Sequence, residues 1–196
     1  MSGPGSRLYT SSSEPEPEPE AFDYYIGPSG SDSNAGTLES PWAITALNTK
    51  RATYAGLSVG ILDGEWDCSA MPNYANDGSD NPYPIFQIAG GSEANPTVIK
   101  AVNARQAHLN LQNGATRNVR PAIGQYGAAH GQGWVTIDGL HISGGGMWGM
   151  SFFGAGSNGR ANWKPGVVVQ NCWINDFHLA STDNEPGVCL NRVTGP

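Results

Sequence analysis

The chain is poor in charged side chains and in the residues that build long helices. Only 14% of its 196 residues are charged, and no extended run of Ala, Leu, Glu and Lys occurs. It contains instead 27 Gly and 14 Pro, which interrupt helices. This composition disfavours a helical bundle and favours many short strands separated by corners.

Basic residues and long apolar runs are also scarce. The 10 Lys and Arg are scattered and outnumbered by 17 Asp and Glu, which gives a formal net charge of −7. Binding to nucleic acid depends on clustered cations that displace counterions from phosphates, so we expect no nucleic-acid partner. No apolar run of membrane-spanning length is present, so we expect no membrane span, and no signal peptide is visible at the N-terminus.

Cysteine is rare, and its spacing offers no metal site. Cys68, Cys172 and Cys189 form an odd set without a CxxC pair. The prediction for metal-ligating residues is therefore none. Cys172 and Cys189 are best interpreted as small core residues, and a disulfide between them stays open as an alternative.

The first 20 residues differ from the rest of the chain. Glu and Pro alternate from residue 14 to residue 20, a pattern that favours an extended polyproline II chain stiffened by like charges. We predict a disordered Glu/Pro-rich tail over residues 1–20 and one folded domain over residues 21–196.

Two short tracts in the second half repeat each other at an offset of 32 residues. WVTIDGLHIS, residues 134–143, matches VVVQNCWIN, residues 167–175, position for position in character. Val135 falls on Val167, and Ile142 falls on Ile174. Such a strand–corner–strand unit buries its apolar face only when copies stack, which predicts a parallel β-solenoid.

Several motifs, in order along the chain, resemble a known family. DYYIGPSGSDSNAGTLESPWAITALN (residues 23–48), GLSVGILDGEW (56–66), NPTVIKAV (95–102) and the two tracts above resemble successive coils of right-handed parallel β-helix proteins of the pectate-lyase-like superfamily. The resemblance covers about residues 22–178. It implies an all-β, right-handed parallel β-helix of about four to five coils with a short N-terminal capping helix.

The segments around these motifs carry further expectations. The helix is placed at Trp42 to Leu47, with an extension to about Tyr54. Residues 67–84, 113–133 and 144–165 are expected to protrude and to build a binding groove. The closing GVCLNRVTGP looks like the first strand of a fifth coil. We therefore expect a domain that is incomplete at its C-terminus, or one continued by a partner or a homotrimer.

Aromatic residues in the second half suggest contact with carbohydrate. The alternation points Trp173 outward, and His141 occupies the same position one coil earlier, so the two should be neighbours on one face. Asp176 and His178 close the same repeat. We predict that His141, Trp173, Asp176 and His178 bind a polysaccharide or a surface glycan. Other aromatic candidates for sugar stacking are Trp134, Trp148, Phe152, Phe153 and Trp163.

The resemblance implies an activity without identifying its residues. A lyase of this superfamily cleaves acidic polysaccharide by β-elimination with Ca²⁺ and a basic residue, so Ca²⁺ is implied by resemblance only. A polysaccharide lyase is favoured over a glycoside hydrolase. Asp138 is interpreted as a turn former, and the catalytic residues stay unknown. The alternative is a non-catalytic phage tailspike or surface adhesin that binds glycan. Either places the protein outside the cell or on a virion.

Overall fold

The structure, a computed structural model, describes residues 20–71, 84–112, 120–126, 133–144, 148–153, 164–176, 188–191 and 193–194. This part of the chain is mostly β-structure, and all of its strand pairs are parallel. The predicted tail lies outside the described residues except for Glu20, whose carboxylate pairs with Lys100.

The elements follow one another as short strands with two helical turns near the start. In chain order they are β1 (Tyr24–Ile26), α1 (Ala46–Thr49), α2 (Arg51–Tyr54), β2 (Ser58–Ile61), β3 (Gly64–Asp67), a 3-10 turn (Cys68–Ala70), β4 (Phe86–Gln87), β5 (Thr97–Ala101), β6 (Ala107–Asn110), β7 (Ile123–Tyr126), β8 (Val135–Asp138), β9 (His141–Ser143), β10 (Met150–Phe153), β11 (Lys164–Pro165), β12 (Val167–Gln170), β13 (Trp173–Asn175), β14 (Val188–Asn191) and β15 (Val193–Thr194).

Three parallel sheets contain most of these strands. The first sheet has the order β1-β2-β5-β8-β12, the second β3-β6-β9-β13 and the third β4-β7-β10-β14, and a small sheet pairs β11 with β15. From β2 onward, apart from β11 and β15, the chain visits the three sheets in rotation, so each strand of these sheets from β5 onward pairs with one from the preceding round. Parallel strands need such crossovers, because a two-residue hairpin joins only antiparallel neighbours.

The predicted stacking of the two repeated tracts is confirmed. Val167 pairs with Val135 in the first sheet, and Ile174 pairs with Ile142 in the second, at the expected offset. The corner inside each tract uses left-handed backbone, at Gly139 (φ 71°) in the first tract and at Asn171 (φ 54°) in the second, and both residue types tolerate this conformation.

The core is built from apolar residues that recur at every second position. Each sheet contributes one column to a single buried cluster: Val59, Ile99 and Ile137 from the first sheet, Trp66, Leu109 and Ile142 from the second, and Phe86, Ile123 and Met150 from the third. Full burial of one such side chain contributes about 1.5–3 kcal/mol. Val169 and Ile174, on β12 and β13, are only partly buried.

The expectation that residues 113–133 and 144–165 protrude is wrong for part of each segment. They contain β7 and β10, whose residues Ile123, Met150 and Phe152 are fully buried. Polar and small residues interrupt the apolar pattern of these strands, as in the run Ile-Gly-Gln-Tyr. Gly124 is required there because a Cβ atom would lie 1.8 Å from the carbonyl oxygen of Ser151 on the neighbouring strand.

The predicted helix begins later than expected. Trp42 forms a parallel bridge with Ile26, and the helical residues start only at Ala46. The Asn48 side chain donates to the carbonyl of Ile85 and accepts from the amide of Gln87. The helical turns thus satisfy backbone groups along β4, the edge strand of the third sheet among the described strands.

Two further findings concern the cysteines and the membrane. Cys172 is a free thiol that packs partly against the core, so the alternative of a disulfide with Cys189 is not realised. Within the described residues, none of the helices has the length and apolar character needed to cross a bilayer.

Candidate functional site

The outer face of the second sheet brings together most of the polar and aromatic residues that could bind a ligand or take part in a reaction. Alternation turns every second side chain of its strands away from the core. The outward side chains form two rows. One row, which we call the histidine ladder, consists of Glu65, His108, His141 and Trp173. The other, which we call the amide ladder, consists of Asp67, Asn110, Ser143 and Asn175. Strand pairing fixes both rows in register.

The rings of the histidine ladder stack on one another. The centroids of His108 and His141 lie 3.8 Å apart with ring planes 9° from parallel, and those of His141 and Trp173 lie 4.5 Å apart at 13°. Such spacing is set by the distance of about 4.8 Å between neighbouring strands. The prediction that His141 and Trp173 are neighbours on one face is therefore confirmed.

Among the described residues, Trp173 is the last ring of the stack and has one open face. Its side chain is 52% exposed, although one of its faces is covered by His141. Exposed large apolar side chains are uncommon in the described part of the chain, where the others are Leu38 at 52% and Leu57 at 37%. Trp173 therefore offers a flat apolar surface that is already oriented by its neighbour.

Hydrogen bonds tie Asp176 to the same face. His141 Nε2 lies 2.9 Å from Asn175 Oδ1, and Asn175 Nδ2 donates to Asp176 Oδ2 at 2.6 Å. Asn175 therefore joins two of the predicted binding residues. His178, the fourth, lies outside the described residues, and a binding role for all four stays a prediction.

The opposite end of the face carries a carboxylate that sequence reasoning missed. Glu65 Oε1 accepts from Asn110 Nδ2 at 2.6 Å, and Glu65 Oε2 lies 3.6 Å from His108 Nδ1. The other imidazole nitrogen, His108 Nε2, lies 2.7 Å from Ser143 Oγ. One imidazole therefore connects an acid on β3 with a hydroxyl on β9.

The environment of His108 favours its neutral form. Burial lowers the pKa of His108, and the adjacent His141 lowers it further, while the Glu65 carboxylate opposes both effects. Two stacked imidazoles are difficult to protonate together because their charges repel. At neutral pH the nitrogen near Ser143 is thus available as a proton acceptor.

The other candidates from the sequence have structural roles or are buried. Asp138 is 8% exposed and accepts from Gln170 Nε2 at 3.1 Å and Asn171 Nδ2 at 2.8 Å, which fits its interpretation as a turn former. The expectation that Phe152 contacts sugar is wrong, because its side chain is fully buried. Trp163 lies outside the described residues.

A concavity elsewhere offers less chemistry. An open depression of about 480 Å³ lies at the start of β2 and is lined by Ala55, Gly56, Leu57, Gly90, Gly91, Ser92 and Asn95. No titratable side chain lines it. The candidate site is therefore the flat outer face of the second sheet.

The described residues contain no group of three or more His, Cys, Asp and Glu side chains arranged to hold a metal ion. Comparison of the chain with protein family models, with curated proteins and with solved structures found no match. The geometry of the outer face is therefore what indicates a function.

Proposed function

We propose that this protein binds glycan on the outer face of the second sheet. The observation that carries the proposal is the half-exposed indole of Trp173, stacked on His141 beside a row of amides and carboxylates. Sugar rings present flat C–H surfaces that pack on aromatic rings, while their hydroxyls need hydrogen-bond partners. The face offers both within two adjacent rows.

The scaffold that we propose is a right-handed parallel β-helix. Support comes from three parallel sheets visited in rotation and from the in-register columns of core residues. Parallel crossovers are right-handed in about 98% of cases, which gives the hand. In this arrangement α1 and α2 cover one end, and the second sheet is one long side. Such a rigid surface suits a glycan-binding spike or an extracellular polysaccharide-binding protein.

The rigidity of the ladder is part of the proposal. Because His141 supports one face of Trp173, the indole loses little conformational freedom when a ligand covers the other face. Aromatic stacking of the pair contributes about 0.5–1.5 kcal/mol beyond the burial of its area. Replacement of Trp173 should therefore weaken binding without disturbing the core.

The test is retention of the full chain in native gels that contain hydroxyethyl cellulose, galactomannan, acetylated xylan or polygalacturonate. We expect at least one polymer to retard the wild type, and Trp173→Ala to weaken retention at least about 10-fold, equivalent to about 1.4 kcal/mol. Leu38→Ala is the matched control, because Leu38 is also 52% exposed but lies outside the second sheet. Equal retention of the two variants, or retention by none of the four polymers, would contradict the proposal.

A further inference from the structure

Three residues on adjacent strands of the second sheet connect in the order serine, histidine and glutamate. Ser143 Oγ on β9 lies 2.7 Å from His108 Nε2 on β6, and His108 Nδ1 lies 3.6 Å from Glu65 Oε2 on β3. The hydroxyl and the carboxylate therefore meet different nitrogens of one imidazole. We propose that this face is also an acyl-ester hydrolase site, with Ser143 as nucleophile, His108 as general base and Glu65 as the residue that positions His108.

The sheet itself creates the alignment. Glu65 pairs with His108 directly, and Ser143 pairs with Asn110, two residues beyond His108. The imidazole reaches diagonally to the hydroxyl while its opposite edge faces the carboxylate. This is the relation that serine hydrolases need, since a serine hydroxyl is a weak nucleophile until an adjacent base accepts its proton.

Protonation favours the reaction at neutral pH. The base must be neutral, and both burial and the neighbouring His141 lower the pKa of His108. Glu65 selects the tautomer with hydrogen on Nδ1, which leaves Nε2 to accept from Ser143. The 3.6 Å contact is longer than a hydrogen bond, but such contacts often shorten when substrate binds. The Glu65 side chain is 57% exposed and has room to approach.

The chemistry balances with water as the only co-reactant. Ser143 Oγ attacks the ester carbonyl while its proton moves to His108 Nε2, and the acyl–oxygen bond then breaks as the leaving alcohol takes that proton. Water attacks the acyl-serine, gives a proton to His108 and releases the carboxylic acid as Ser143 recovers its proton. The amides of Asn110 and Asn175 lie on the strands either side of Ser143, and side-chain amides can stabilise the intermediate oxyanion.

The substrate class is an O-acyl ester of a small carboxylic acid. The alcohol part of the ester rests on the proposed function: if Trp173 binds a polysaccharide, the ester is an O-acetyl group on another sugar unit of that polysaccharide. Trp173 and Ser143 lie on adjacent strands two positions apart in register, about 7 Å between backbones. The open face of Trp173 is turned away from His141 and therefore from β9, so a polysaccharide that stacks one ring on the indole reaches Ser143 with a neighbouring sugar unit that runs back along the outer face.

The experiment is labelling of the full chain with a fluorophosphonate probe, followed by peptide mapping. This probe reacts with activated serines and requires no glycan. We expect labelling at Ser143, its loss in Ser143→Ala, and labelling at least about 100-fold slower in His108→Asn. Ser33→Ala, an exposed loop serine, is the control that should label like the wild type.

A positioning role for Glu65 predicts a change in the pH profile. The labelling rate should fall as the pH drops through the pKa of His108, below about 6.5. Glu65→Gln should move that midpoint to lower pH, because the carboxylate raises the pKa of His108. A merely structural Glu65 would lower the rate at every pH without moving the midpoint.

Two results would overturn the proposal. One is a wild-type chain that is folded by circular dichroism but labels Ser143 no faster than Ser33. The other is labelling of Ser143 that persists at full rate in His108→Asn. Neither bears on glycan retention, and loss of retention does not affect probe labelling. Release of acetate from acetylated xylan then tests whether the two properties act together.

Discussion

The outer faces of the first and second sheets use similar residues in different ways. On the first sheet, Lys100 pairs with Glu20, and Asp138 accepts two hydrogen bonds from amides of the following strand and turn. On the second, the imidazoles stack, and Trp173 leaves one ring face open. Polar side chains of the first face thus hold the turn together, whereas the second face ends in an indole that is half exposed to solvent. The same strand register supports both outcomes.

The largest expected effect on stability comes from breaking the first face. Asp138→Ala removes the acceptor of Gln170 Nε2 and Asn171 Nδ2 at a position that is 8% exposed. Loss of two hydrogen bonds to one charged acceptor should cost about 2–3 kcal/mol, measured by urea unfolding. Asp63→Ala is the control, because exposed Asp63 accepts from Asn103 and should cost less than about 1 kcal/mol. If Asp138→Ala lowers the free energy of unfolding no more than Asp63→Ala does, Asp138 does not have the proposed structural role.

The interior of the third sheet sharpens the contrast between satisfied and unsatisfied polar groups. The Gln125 side chain is fully buried, and neither its amide nitrogen nor its oxygen has a hydrogen-bond partner among the described residues. Gln125→Leu should therefore raise the free energy of unfolding by about 1–2 kcal/mol. Gln106→Leu, at an exposed position, should change it by less than about 0.5 kcal/mol. Destabilisation by Gln125→Leu would show that the amide is satisfied after all.

A smaller loss of stability is expected on the second face. His141→Ala removes the ring between His108 and Trp173 and should cost about 1 kcal/mol, less than Asp138→Ala. Glycan retention should fall together with it, because Trp173 loses its support. If His141→Ala proves more destabilising than Asp138→Ala, the division of roles between the two faces is wrong.

The smallest effect concerns pH. The pKa of His108 is lowered in the folded state, so the unfolded chain binds its proton more readily. The titration of His108 leaves the free energy of unfolding unchanged above about pH 6.5. As the pH falls from that value to the folded pKa, it lowers the free energy of unfolding progressively. Urea unfolding of wild type and His108→Gln from pH 8 to pH 5 should show the wild type losing relative stability only below pH 6.5. The titration of His108 by NMR gives the folded pKa directly, and a value above 6.5 would reverse the sign.

Sequence reasoning found the first two sheets because their strands alternate clearly. Val135, Ile137 and Ile142 recur at period two, and the tract at 167–175 repeats them. The strands of the third sheet were not predicted because some of their buried positions are polar. Gln125 and Ser151 are buried where an apolar residue would be expected. Alternation alone cannot recognise a strand whose buried positions include polar residues.

The candidate site was found at one end only. His141 and Trp173 lie in the two tracts that repeat most closely, whereas Glu65 and His108 lie in earlier and weaker copies. A signal was present: GEWD at 64–67, AHLN at 107–110, LHIS at 140–143 and CWIN at 172–175 share an apolar third position between two outward residues. Aligning these four segments places Glu65, His108, His141 and Trp173 in one column. The hydrogen bond between His108 and Ser143 runs diagonally between columns, so no alignment of single positions reveals it.

The most direct test of the central claim is an NMR comparison of the two faces. The full chain would be titrated with whichever of the four polymers retains it, supplied as short oligosaccharides. We expect the imidazole signals of His108 and His141 and the indole N–H of Trp173 to shift, while the amides of Lys100 and Asp138 stay in place. Shifts confined to the first sheet, or a bound ligand that leaves Trp173 unchanged, would contradict the account.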